Sequence, residues 1–137
     1  MSKYSIDFRI ISTNHIIIEA FINCVKGLFI IDSGASHSCI DINKSEKFNL
    51  EYKVFEENAS SATQEINETF ISKKNEFKFE NIKSIKHDFM LFNMSYIYKT
   101  ILEKEKIEID GIIGADLLIR YKSVINFELN KIYLKKI

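Results

Sequence analysis

The stretch Leu28-Phe29-Ile30-Ile31-Asp32-Ser33-Gly34-Ala35-Ser36 decides the fold. Its first four residues are apolar at every position, the pattern of a strand covered on both faces. The strand then runs straight into a carboxylate, which is costly to bury unless something pairs with it. Ser33 supplies a short hydroxyl that can bond nearby backbone groups. Gly34 opens backbone conformations closed to other residues. Together these residues describe a tight loop that presents Asp32 out of a sheet.

Upstream, the chain reads as β. Tyr4, Ile6, Phe8 and Ile10 alternate with polar residues and share one side of an extended strand. Ser12-Thr13-Asn14 is a turn signal, and His15 to Asn23 is a second run of β-branched and aromatic residues. Val25-Lys26-Gly27 is expected to make the tight turn into the apolar strand. Downstream, Ser38 to Phe48 mixes Asp41, Lys44, Glu46 and Lys47 with Ile40, Ile42 and Phe48, which predicts a short amphipathic helix. Glu51 to Phe70 holds two candidate strands around the small polar stretch Glu57 to Thr63, which suits an exposed hairpin tip. Glu76 to Glu80 and Ile85 to Met94 are further strands. Tyr98 to Lys106 is charged and reads as a loop or one helical turn.

The C-terminal part carries a second distinctive segment, Asp110-Gly111-Ile112-Ile113-Gly114-Ala115-Asp116-Leu117-Leu118. Asp110-Gly111 reads as a turn. Ala115 to Tyr121 has the spacing of two helical turns, and Ser123 to Phe127 and Lys131 to Lys135 form a hairpin around Leu129-Asn130. The fold class is all-β with one or two short helices, and residues 1–137 are expected to form a single domain.

Both segments resemble signatures of the retropepsin-like aspartic proteases. Phe29 to Ser36 is similar to that family's catalytic loop, usually Asp-Thr-Gly-Ala. Ile112-Ile113-Gly114 with the residues after it resembles the family's apolar-apolar-Gly segment and short C-terminal helix, and Val124-Ile125-Asn126-Phe127 its closing strand. The order of elements matches as well, so the resemblance covers most of the chain. It implies a closed, mostly antiparallel barrel in which Gly114 lets the apolar-apolar-Gly segment pack close behind the catalytic loop.

The resemblance also implies chemistry. Asp32 would be the catalytic residue, with Ser33, Gly34 and Ala35 as the active-site loop and Ala59, Ser60 and Ser61 at the flap over the substrate. Two-lobed relatives carry two Asp-Ser/Thr-Gly triplets in one chain; this chain has one, so the second carboxylate would come from a second copy across a two-fold axis. Neither cofactor nor metal is implied, and the substrate would be a peptide or protein. An alternative is a retropepsin-fold binding or dimerisation module that cleaves little. Ser36 and Ala115 stand where retroviral members have an Asp and an Arg, so both halves of a bracing ion pair are missing together. No glycine lies between Gly34 and Gly111, where many relatives have a glycine-rich flap tip.

Composition narrows the alternatives. The 137 residues are 46% hydrophobic and 28% charged, the balance of a folded protein rather than a disordered one. Nineteen basic and nineteen acidic residues give a net charge of zero, which argues against nucleic acid as partner because phosphate binding needs a basic excess. No apolar run approaches the length of a signal peptide or membrane span, so a cytoplasmic protein with no membrane partner is expected. Cys24 and Cys39 would then be reduced and packed as small hydrophobes. His37 reads as a polar loop residue. His15 and His87 fall in strands with no partner cluster, and no metal site is expected.

Overall fold

The computed structural model describes residues 3–55 and 68–137. Eleven strands and two short α-helices are present among them. The expected flap residues Ala59, Ser60 and Ser61 lie outside the described residues.

Six strands close into a barrel: β3 (Ile16–Ile22), β4 (Val25–Ile31), β9 (Gly111–Ile113), β5 (Cys39–Asp41), β8 (Ile85–Phe92) and β7 (Phe70–Lys78), which pairs back onto β3. Most neighbours are antiparallel; β4–β9 and β5–β8 are parallel. Two short strands, β2 (Arg9–Ile10) and β6 (Lys53–Val54), extend β3 and β7. A separate three-stranded sheet joins β1 (Lys3–Asp7), β11 (Lys131–Lys135) and β10 (Val124–Asn126), with β10 at its edge. The predicted C-terminal hairpin is β10–β11, with Ile125 opposite Ile132.

The apolar strand β4 is covered on both faces, as its sequence predicts. Phe29 and Ile31 belong to the main core with Ile18, Ile40, Phe77, Phe89, Leu91 and Ile113. Leu28 and Ile30 face a second cluster with Ile17, Met94, Tyr98, Ile101 and Ile109. That second cluster lies under α1 (Lys99–Glu105), which runs longer than the loop or single turn predicted and ends at Lys106 in the left-handed conformation (φ 60°).

Several local expectations are corrected. The β3–β4 turn is Asn23-Cys24, both at positive φ (51° and 69°), not Val25-Lys26-Gly27. Two residues at positive φ match the twist of a tight hairpin. Gly27 lies inside β4 opposite Ala20, where a Cβ would come within 2.7 Å of the Phe48 ring. Its reason is space rather than turning. Cys24, at the hairpin tip, is exposed rather than packed.

The segment Ser38 to Phe48 is not an amphipathic helix. It is β5 followed by one 3-10 turn over Ile42–Lys44. Cys39 and Ile40 pair with both Met90–Leu91 and Gly111–Ile112, and these barrel ladders override the helical spacing. Asp41 then starts the turn by accepting the Asn43 amide at 3.1 Å.

Asp110-Gly111 is not a turn either. Asp110 is buried, and Gly111 begins β9. The Asp110 carboxylate accepts the Leu28 amide at 2.9 Å and pairs with Lys47 at 3.0 Å, so the charge is held by β4 on one side and a surface lysine on the other. The Tyr4-to-Ile10 alternation breaks at Ile10, which is exposed and joins β2.

Candidate active site

Asp32 follows the last residue of β4. Its amide donates to Ile113 O at 3.0 Å, extending the parallel β4–β9 ladder by one step before the chain turns away. The turn is closed by the Ala35 amide on Asp32 O at 3.1 Å. Asp32 is exposed, and the Gly34 amide donates to its Oδ1 at 2.9 Å. That single bond orients the carboxylate and leaves Oδ2 open among the described residues. Gly34 does not use positive φ, contrary to expectation. A Cβ there would sit 3.2 Å from Asp32 Oδ1, so glycine keeps the carboxylate uncrowded. Ser33 is exposed, and its hydroxyl makes no hydrogen bond among the described residues.

The apolar-apolar-Gly segment does pack behind this loop. Ala115 donates its amide to Ala35 O at 2.7 Å. A Cβ on Gly114 would lie 2.6 Å from Ala35 O and 3.0 Å from His37 O, so only glycine permits this approach without moving backbone. The helix that follows, α2 (Ala115–Arg120), brings Asp116 to the loop.

Asp116 organises a polar cluster beside the loop. Its carboxylate accepts from the Ser38 amide (3.0 Å) and hydroxyl (2.7 Å), from His87 Nε2 (2.8 Å) and from the Leu117 amide (2.8 Å). Ser38 is fully buried, and its oxygen accepts the Gly114 amide at 2.9 Å. Burial works to raise the Asp116 carboxyl, but the bonds from His87, Ser38 and Leu117 outweigh it and hold the group at about 2. On the other side of the imidazole, Arg120 donates to His87 Nδ1 at 2.9 Å and to Lys86 O at 2.8 Å. The cluster walls a groove of about 380 Å³ that continues past His37 to Phe55 and Ile71.

Behind the loop, Cys39 is half-buried and bonds His37 O at 3.3 Å. Burial first, and then the negative charges of Asp116 and Asp32, push its thiol up to about 11. Burial likewise pushes the Tyr98 hydroxyl well up. Among the described residues no group of three or more His, Cys, Asp or Glu is placed to hold a metal ion.

The structure thus brings Asp32, Ser33, Gly34 and Ala35 together in one loop. The sequence reading missed Ser38, His87, Asp116 and Arg120. One signal was available: Asp116 and Arg120 sit four apart and therefore share a helix face. His87, read as lacking partners, has two.

The family model described as "Aspartyl protease" matches residues 18–117. No curated protein sequence matches the chain. Among solved structures, a retropepsin-like aspartic protease from Rickettsia conorii is similar, with a TM-score of 0.62 at 18% identity over 98% of this chain and 91% of that one. The retroviral protease-like domain of Ddi1 from Leishmania major also has a TM-score of 0.62 at 18% identity, over 88% of each chain. The EIAV protease, solved with the inhibitor HBY-793, has a TM-score of 0.55 at 15% identity, over 81% of this chain and 91% of that one. With both signature segments present and packed together in a closed barrel, the chain belongs to the aspartyl protease family and has the retropepsin-like fold.

Proposed function

We propose that the chain is an aspartic endopeptidase that works as a homodimer, with Asp32 from each copy forming the catalytic pair. The observation that carries this reading is the Asp32 loop: an exposed carboxylate, oriented by the Gly34 amide, on a backbone clamped to Gly114 and Ala115.

Two carboxylates brought face to face cannot both ionise, so they share one proton. The ionised Asp32 takes a proton from a water as that water attacks the scissile carbonyl. The protonated Asp32 of the other copy hydrogen-bonds the carbonyl oxygen as negative charge develops there. The free Ser33 hydroxyl is available to bond across to the partner loop.

The surface beside the closing strand supports dimerisation. Ile119, Val124, Phe127 and Leu129 are 73%, 58%, 62% and 55% exposed, and they flank or lie on β10, an edge strand with one open side. Apolar residues clustered beside an open edge are suited to a partner. The two free thiols fit a reducing, cytoplasmic setting. Among the described residues no helix is long and apolar enough to cross a membrane.

The test is cleavage of a denatured protein substrate at mildly acid pH, together with solution mass. The expected result is a dimer whose cleavage is blocked by a statine-type inhibitor and abolished by Asp32→Asn in a protein that stays folded. A confirmed dimer that cleaves nothing across a wide pH range, or an Asp32→Asn variant that retains activity, overturns the reading.

A further inference from the structure

We infer that His87 is a positioning residue for the Asp32 loop, held as the Nε2–H tautomer in a hydrogen-bond network whose two arms, Arg120–His87 and Gly114–Ser38, both donate toward the Asp116 carboxylate. The inference rests on the reading of Asp32 as catalytic, but its geometry stands apart from that reading.

The direction of every bond follows from the chemistry of the groups. A guanidinium only donates, so His87 Nδ1, 2.9 Å from Arg120, accepts and carries no proton. The imidazole proton is therefore on Nε2, which donates to Asp116 Oδ2 at 2.8 Å. Ser38 has one hydroxyl proton and gives it to Asp116 Oδ1 at 2.7 Å. That leaves the Ser38 oxygen to accept the Gly114 amide at 2.9 Å. Gly114 and Ala115 in turn touch the Asp32 loop at Ala35 O. Both arms end on the same carboxylate, so a disturbance at the imidazole reaches the loop through the Asp116 and Ser38 side chains.

The ring is also fixed in orientation. Phe89 meets it edge-on, with centroids 5.2 Å apart. The charged and titratable groups around it are Asp116 and Arg120 from α2, Lys86 and Asp88 from β8 itself, and His37 across the groove. From β7 the residue opposite is the neutral Asn75. The Asp88 Oδ1 atom is taken by the Lys74 amide at 2.8 Å, so Asp116 is the carboxylate that binds the ring.

Three variants and three readouts test the inference. His87→Phe keeps a ring of similar shape without hydrogen bonds, His87→Gln restores a donor toward Asp116, and Arg120→Ala cuts the exposed end of the chain. In the native protein, ¹⁵N NMR is expected to show His87 as the Nε2–H tautomer. His87→Phe is expected to lower kcat about tenfold with KM within about twofold, and to speed amide exchange at Ser38, Gly114 and Ala115 by about tenfold, the scale of one lost hydrogen bond. His87→Gln is expected to recover most of both. An Nδ1–H tautomer, or native kcat and native exchange in His87→Phe, overturns the inference. If His87→Phe does not fold, Arg120→Ala decides by whether the Nε2–H signature weakens. If no peptide is cleaved by the native chain, the endopeptidase reading fails, while the tautomer and exchange measurements still judge the positioning role.

Discussion

Asp116 and Ser38 lie 78 residues apart and are joined by two hydrogen bonds, from the Ser38 amide at 3.0 Å and its hydroxyl at 2.7 Å. This pair ties the segment after the Asp32 loop to the helix after the apolar-apolar-Gly segment. It couples the two stretches that identify the fold, and it does so with one ionised group and neutral donors. A brace of this kind satisfies a half-buried carboxylate through several directed bonds rather than through one opposite charge.

The first prediction concerns pH. Asp116 is held at about 2, below the ordinary carboxylate value, so the folded state favours its ionised form. The stabilisation is fully present above the ordinary value and is lost as pH falls through about 2. Its size is on the order of 2 kcal/mol. Asp116→Asn is therefore expected to be less stable than the native chain at neutral pH by about that amount. The two urea midpoints should converge between about pH 4 and pH 2. Parallel midpoints over that window would show that the Asp116 charge is not what stabilises the fold.

Glycine replacements separate packing from chemistry. A Cβ at Gly111 would lie 2.2 Å from Cys39 O, and one at Gly114 would lie 2.6 Å from Ala35 O. Both obstacles are backbone, so Gly111→Ala and Gly114→Ala are each expected to cost about 1–3 kcal/mol or more. Gly34→Ala meets only Asp32 Oδ1, at 3.2 Å, on an exposed loop. It is expected to change stability by less than about 0.5 kcal/mol while lowering peptide cleavage, because the methyl group crowds the carboxylate. Denaturation midpoints and cleavage rates measured on the three variants check the order.

These outcomes also mark what could be read from the chain. The apolar run Leu28 to Ile31, the Asp32 loop and the approach at Gly114 follow from local pattern and motif. Gly27 did not: a glycine near a predicted turn looks like the turn, and the rings of Phe29 and of Phe48, 21 positions away, explain it only once the barrel has packed them there. Asp110 looked like half of an Asp-Gly turn because nothing local announces the Leu28 amide or Lys47. The helical spacing of Ser38 to Phe48 lost to barrel pairing with β8 and β9. The Arg120–His87–Asp116 cluster stayed hidden for the same reason, since its members meet only once the barrel has closed.

The exposed residues around β10 make a prediction about assembly. Val124 is 58% exposed on the edge strand, and Ile119 is 73% exposed on α2 just before it. Neither side chain is part of the core, so Val124→Lys and Ile119→Lys should leave the fold and its denaturation midpoint nearly unchanged. In a dimer that uses this surface, a buried unpaired lysine is costly. The double variant is expected to run as a monomer in sedimentation and to lose cleavage. A double variant that stays dimeric would place the interface elsewhere.

The two cysteines offer an independent probe of Asp32. Cys24 is exposed at the β3–β4 turn, whereas Cys39 is half-buried with its thiol pushed up to about 11, first by burial and then by the charges of Asp116 and Asp32. Only the thiolate reacts with a disulfide reagent. At neutral pH one thiol per chain, Cys24, is expected to label quickly, and Cys39 only as pH approaches about 11 or on unfolding. A nearby negative charge disfavours a thiolate, so removing that charge must lower the Cys39 value. Asp32→Asn, with Cys24→Ser to silence the fast site, should therefore shift Cys39 labelling toward lower pH. The shift should be small, because Asp32 ranks behind burial and Asp116 among the causes. An unchanged profile in a folded Asp32→Asn protein would mean that the Asp32 charge does not reach Cys39, and would count against the loop position described.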